Sequence, residues 1–313
     1  MKVLLRMLAA LALASVALPA AAQDKVRVLL DWFVNPDHAA LVIAKQRGIF
    51  TKHGLDVELI APADPNAPPK LVAAGQAEYA VSYQPTLQML AAEGLPLVRV
   101  GVLVAQPLNS LVALEDGPVK SISDFKGRKI GYSIAGFEEA LLGAMLEKVG
   151  LTVKDVTLIN VNFALTTALM SKQVDGVIGA FRNFELNDLA LHKAKGRLWE
   201  VEKNGVPAYD ELILVAKRET IDVARTRKLL DAIAEATAWL KANPDQAWGI
   251  FSTSGKELDS ELNKLAWKDT LPLLAADPAA LDRERYTAFA DFLVKRGLIK
   301  QAPQLDTYSR EIK

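Results

Sequence analysis

The stretch Val26-Arg27-Val28-Leu29-Leu30-Asp31-Trp32-Phe33-Val34-Asn35-Pro36-Asp37-His38 decides how the chain is read. Its first five residues form a short apolar run rich in β-branched side chains, the pattern of a buried strand. Residues 39–48 follow with a helical pattern that closes on Gly48, a C-cap glycine. Residues 31–38 are therefore a turn between a strand and a helix. In an open α/β sheet such turns gather at the carboxyl ends of the strands, where ligands bind. Trp32 and Phe33 offer flat apolar faces, Asn35 offers a donor and an acceptor, and Asp31, Asp37 and His38 add titratable polarity. That mixture suits a flat, nitrogen-rich heterocycle. A plainer role stands beside it, with Trp32 in the core and Asp37 as a helix cap.

Upstream, Met1-Lys2 and Arg6 precede an apolar run and Ala20-Ala21-Ala22, the pattern of a secretory leader cleaved after Ala22. The expected compartment is the periplasm. Lysine plus arginine and aspartate plus glutamate each number 37, so nothing points to nucleic acid or to an anionic membrane. The chain has no cysteine, which excludes disulfides and thiolate chemistry. Its three histidines, His38, His53 and His192, stand too far apart for a local metal motif, and no cofactor is expected. Beyond the leader, roughly 290 residues exceed what one core usually holds, so two lobes are expected.

Residues 54–60 alternate as a second strand, and 62–69, with four prolines, read as a loop. A short helix (70–74), a strand (79–82) and a helix opened by Pro85 (86–93) come next, then extended runs at 97–104 and 110–114. From Lys120 the pattern restarts: strand 129–132, helix 137–149, strand 156–160, helix 163–171, strand 177–180 and helix 184–193. Leu71-Val72-Ala73-Ala74-Gly75-Gln76-Ala77-Glu78-Tyr79-Ala80-Val81 matches Ala168-Leu169-Met170-Ser171-Lys172-Gln173-Val174-Asp175-Gly176-Val177-Ile178 in pattern. Two lobes on one plan, each feeding turns into a shared cleft, account for this. The first lobe is expected over 24–112 and 214–313 and the second over 113–213, with crossings near 110–114 and 212–216. After 216 the chain turns helical, and those helices read as packing and rim.

Four turns should meet at the cleft: 31–38, 82–84, 133–139 and 181–185. They supply Trp32, Tyr83, Phe137 and Phe181 for stacking, and Asp31, Asn35, His38, Glu138, Glu139, Asn183 and Glu185 for polar contact. Glu138 and Glu139 have a plainer role as acids in the first turn of a helix. Gly131 and Gly136 have the spacing of a phosphate loop, but Phe137-Glu138 occupies the place of the required Lys-Ser/Thr, and an acid there repels phosphate. No nucleophile elbow is present.

These motifs, with Gly48-Ile49-Phe50, Gly54-Leu55-Asp56-Val57, Gly179-Ala180-Phe181-Arg182-Asn183-Phe184-Glu185 and Tyr209-Asp210-Glu211-Leu212, resemble the exported solute-binding proteins of ABC importers for thiamin pyrimidine precursors. The same family holds a pyrimidine synthase that consumes its own histidine and pyridoxal phosphate. The likeness runs from about Val26 to Ala216 and implies a two-lobed type II periplasmic-binding-protein fold. It implies a small heterocyclic ligand such as formylaminopyrimidine, an ABC permease in the inner membrane as partner, and Asp31, Trp32, Asn35, Tyr83, Phe181 and Glu185 as ligand contacts. Arg182 departs from the pattern, standing where such binders carry another aromatic. That leaves either an incomplete ring sandwich or a ligand with an anionic group, and riboflavin, a sulfonate or another small acid stay open as ligands. The cysteine-rich motif of the synthase is absent, which together with the leader disfavours an enzyme.

Overall fold

The computed structural model describes residues 23–312; the expected leader and its cleavage point after Ala22 lie outside the described residues. Its strands are β1 (Asp24–Leu29), β2 (Leu55–Ile60), β3 (Tyr79–Ser82), β4 (Leu97–Val104), β5 (Asn109–Leu114), β6 (Lys129–Tyr132), β7 (Thr157–Asn160), β8 (Gly176–Phe181), β9 (Gly196–Glu200) and β10 (Leu212–Lys217). They form two sheets of five, ordered β2-β1-β3-β10-β4 and β7-β6-β8-β5-β9. Val26 and Lys129 thus lie in different sheets, as two lobes require. In each sheet three parallel strands are followed by one antiparallel strand, β10 in the first and β5 in the second. The paired sequences around Gln76 and Gln173 lead into β3 and β8, which hold matching places in the two sheets.

The chain changes sheets earlier than the sequence suggests. Asn109 already pairs with Phe181 in the second sheet, so the outward crossing is the segment 105–108. The return runs through 201–211, and β10 lies wholly in the first sheet between β3 and β4. The apolar run at 110–114 looked like the crossing because a buried strand and a buried connector share one composition. Pro107, which cannot donate to a ladder, marks the break.

The helices are α1 (Ala39–Gln46), α2 (Ile49–Lys52), α3 (Pro68–Ala73), α4 (Gln84–Ala92), α5 (Phe137–Glu147), α6 (Leu165–Met170), α7 (Glu185–Leu191), α8 (Val223–Ala242), α9 (Pro244–Thr253), α10 (Glu261–Thr270), α11 (Arg283–Lys295) and α12 (Leu305–Tyr308). Pro68 and Pro69 open α3 instead of extending the loop, since the first turn of a helix needs no N–H from them. The half-buried edge strand β9 was not anticipated; its residues show no apolar alternation. Strand β4 is buried along its length although it ends its sheet. Backbone bonds from the C-terminal segment cover it: Val102 N–H to Pro278 O, Ala275 N–H to Leu103 O, and Arg310 N–H to Arg99 O. The tail is more than rim, because α10 packs against both α7 and the 36–38 turn and so touches both lobes.

Candidate functional site

The turn after β1 is held from within. Asn35 Oδ1 accepts the Asp37 N–H at 2.8 Å, and Pro36 opens the short 3-10 turn that follows. The Asn35 N–H donates to His38 Nδ1 at 3.3 Å, so Nδ1 carries a lone pair and the ring proton sits on Nε2. Nε2 donates to Asp31 Oδ1 at 2.9 Å, while the Tyr83 hydroxyl donates to Asp31 Oδ2 at 2.8 Å. Both ring nitrogens of His38 are spent on this arrangement. The side chain has no free polar atom for a ligand and serves to hold Asp31.

A cavity with about 420 Å³ of empty space, part of it open to solvent, lies between the lobes. The first lobe lines it with Asp31, Trp32, Asn35, Asp37, His38 and Tyr83, and the second adds Ile134, Glu138, Leu165, Gly179, Phe181, Phe184 and Glu185. Aromatic contacts cross from lobe to lobe around it. Trp32 meets Phe163 edge-on at 4.6 Å, Phe33 meets Phe184 at 5.8 Å, and Tyr83 meets Phe181 at right angles at 6.5 Å. Phe137 is buried behind Tyr83, stacked at 5.3 Å, and supports that ring without lining the cavity.

Four carboxyl groups face this space, and the residues lining it include no lysine or arginine. Burial raises the Asp37 carboxyl to about 6 despite bonds from Asn183 and Thr270. Burial raises Glu138 to about 8, outweighing the pull of the Ser133 and Ile134 N–H groups. It raises Glu185 to about 8 as well, against the Phe181 N–H. A charged group taken out of water without a counterion tends to keep its proton, so at neutral pH Glu138 and Glu185 are largely protonated while Asp37 is largely ionised.

The lobes are also joined by hydrogen bonds. Asn66, in the loop before α3, donates from Nδ2 to Ser133 O at 3.1 Å and accepts the Ala135 N–H on Oδ1 at 2.9 Å. At the hinge, Glu211 Oε2 accepts from Leu108 N–H at 2.5 Å, Asn109 N–H at 2.9 Å and the Tyr209 hydroxyl at 3.0 Å, tying one crossing to the other. The Glu211 carboxyl is pushed up by burial to about 7.

Arg182 is placed elsewhere than the sequence suggested. Its guanidinium forms a fork with Glu202 at 2.8 and 2.9 Å, reaches Glu200 at 3.0 Å, and donates from Nε to Leu108 O at 3.3 Å. It braces the outward crossing and is not among the cavity's lining residues, so it offers no charge to an anionic ligand. The cavity brings together Asp31, Trp32, Asn35, His38, Tyr83, Glu138, Phe181 and Glu185, and leaves out Phe137, Glu139, Arg182 and Asn183. Asp37 was read for its polarity and as a helix cap but not among the expected contacts, and Ile134, Leu165, Gly179 and Phe184 were not singled out. Gly179 carries a signal in retrospect, as a glycine inside a strand marks a close approach.

A family model described as "NMT1/THI5 like" matches residues 35–247. The chain belongs to the NMT1/THI5-like family. A Haemophilus influenzae protein whose name ties it to thiamine biosynthesis is 53% identical to this NMT1/THI5-like chain over 296 residues, 94% of each. The formylaminopyrimidine-binding protein of Halalkalibacterium halodurans is 31% identical over 281 residues, 87% of this chain and 84% of that protein. More distant is a 4-amino-5-hydroxymethyl-2-methylpyrimidine phosphate synthase of Legionella pneumophila, 23% identical over 273 residues, 85% of this chain and 86% of that enzyme. In three dimensions the NMT1/THI5-like chain superposes on the alkanesulfonate-binding protein of Xanthomonas axonopodis pv. citri with a TM-score of 0.71 at 16% identity, covering 91% of this chain and 96% of that one. The fold is that of the periplasmic binding proteins.

Proposed function

We propose that this NMT1/THI5-like protein is the exported solute-binding component of an ABC importer, that it works in the periplasm, and that its ligand is a small aminopyrimidine precursor of thiamin. The observation that carries the reading is the cavity between the lobes, walled by aromatic rings and ringed by carboxyl groups with no cation among them. A flat ring bearing amino groups complements it. Stacking adds about 1 kcal/mol per aromatic face, and each bond to a charged group contributes about 1.5–3 kcal/mol net. The likeness to a formylaminopyrimidine-binding protein supports the same ligand class. Binding would favour the closed arrangement through contacts that only both lobes together can make, and a membrane permease would receive the loaded protein.

Mass spectrometry of small molecules carried through purification under native conditions, followed by calorimetric titration with 4-amino-5-hydroxymethyl-2-methylpyrimidine, tests this. Micromolar or tighter binding is expected, with none for an alkanesulfonate; the reverse selectivity removes the reading. A second reading, a pyrimidine synthase, draws on the enzyme relative. Incubation with pyridoxal phosphate and iron, followed by intact-mass analysis, decides it: a new pyrimidine together with an altered histidine would establish an enzyme.

A further inference from the structure

Glu138 stands in the first turn of α5 and is 3% exposed. Its Oε2 accepts the Ser133 N–H at 2.7 Å, and the Ile134 N–H faces the same carboxyl. Oε1 has no partner among the described residues and is not sealed in the protein; it opens on the cavity. The bare backbone of Gly179 on β8 makes room for it. Gly179 has φ +100°, and a Cβ there would collide with the whole Glu138 carboxyl, both oxygens included. The titratable groups that face the carboxyl are Glu185 from α7, Glu211 from the return crossing and the Tyr83 phenol. Arg182, the cation facing Glu211, is taken up by Glu200 and Glu202. Like charges in one water-poor space cannot all ionise, and a proton must stay among them.

We propose that Glu138 is a hydrogen-bond donor to the ligand: its free oxygen carries a proton and gives it to a ring nitrogen, so the site takes N-heterocycles with an acceptor at that position and refuses anions. The inference rests on the reading of the cavity as a heterocycle site and adds the protonation state in which the site works. The Ser133 N–H claims Oε2 as an acceptor, which leaves Oε1 as the oxygen that holds the proton. Glutamine at this position presents the same pair, an amide oxygen to Ser133 and an N–H to the ligand. It has no proton to lose.

The test is calorimetric titration of the wild type, Glu138→Gln, Glu138→Ala and Glu185→Gln with 4-amino-5-hydroxymethyl-2-methylpyrimidine from pH 6 to 9.5. With the ligand-free carboxyl titrating at about 8, wild-type affinity should fall about tenfold per unit once the pH exceeds that value, with uptake of a proton on binding. Glu138→Gln should bind within about threefold of wild type at pH 7 and stay level to pH 9.5, and Glu138→Ala should bind weakly throughout. The Glu185→Gln protein should keep the alkaline fall. A level wild-type profile overturns the proposal, as does a fall that survives Glu138→Gln or disappears in Glu185→Gln. Absence of wild-type binding at pH 6.5 removes the ligand reading and the inference with it. The wild-type profile needs no variant to fold, so a misfolded variant leaves the main readout intact.

Discussion

Asn183 of the second lobe donates through Nδ2 to Asp37 Oδ1 of the first at 2.7 Å, and the same nitrogen reaches Thr270 Oγ1 on α10 at 2.8 Å. One amide thus joins the cavity turn, the second lobe and the C-terminal helices. All three residues are buried. Asn183→Ala leaves the Asp37 carboxyl buried without its main donor, which should cost about 1–3 kcal/mol. Urea unfolding of the two proteins measures it, and an unchanged midpoint would mean that the contact contributes nothing.

Asn66 makes its two bonds to the second lobe from a partly exposed loop, so its removal should spare the fold. At about 1 kcal/mol net per bond, Asn66→Ala should loosen the closed arrangement and weaken the ligand by roughly tenfold. Small-angle scattering of the ligand-free protein should show a larger radius of gyration for the variant, with an unaltered melt.

Four buried acids make stability depend on pH in an unusual direction. Asp37 at about 6, Glu138 and Glu185 at about 8 and Glu211 at about 7 all lie above their ordinary values, so the folded protein binds more protons than the unfolded chain. Their contribution is complete below the usual carboxylate range and is lost as the pH rises through the folded values. The ligand-free protein should therefore be markedly less stable at pH 8.5 than at pH 5. Chemical denaturation at both pH values checks the sign, and higher stability at pH 8.5 would show that the acids are ionised in the folded state.

Much of this was legible in the sequence. The strand, turn and helix around Asp31 could be read from one apolar run, a proline and a C-cap glycine, since each is a local signal. The doubling of the lobes could be read from the match that leads into β3 and β8. What could not be read was where side chains spend their hydrogen bonds. Arg182 sits two residues from Ala180 in a turn beside the cleft, yet Glu200 and Glu202, on an edge strand with no distinct pattern and the turn after it, draw it away. His38, which the sequence offered for its titratable ring, is committed to Asp31 and the turn backbone. Arg182→Ala should accordingly keep ligand affinity within about twofold while lowering the melting temperature, because the lost fork to a carboxylate contributes about 1.5–3 kcal/mol.

The last prediction concerns Glu185, whose Oε2 accepts the Phe181 N–H at 2.6 Å at the start of α7. That bond dictates how a substitute would orient. In Glu185→Gln the amide oxygen must take the Phe181 N–H, which turns the NH2 group toward the cavity. Glu185 Oε1 keeps a lone pair for an amino group of the ligand whether or not it carries a proton, and the amide nitrogen has none. Binding should weaken by about 1–3 kcal/mol, roughly tenfold to a hundredfold in Kd. The fold should hold, since the backbone bond survives and the neutral amide forfeits at most about 0.3–1 kcal/mol of interaction with the helix dipole. The same substitution thus has opposite outcomes at two neighbouring acids, tolerated at Glu138 and harmful at Glu185, because one is read as a donor and the other as an acceptor. Calorimetric titration at pH 7 beside a thermal melt measures both, and equal affinities for wild type and Glu185→Gln would reduce Glu185 to a helix cap and move the amino contact to Asp31.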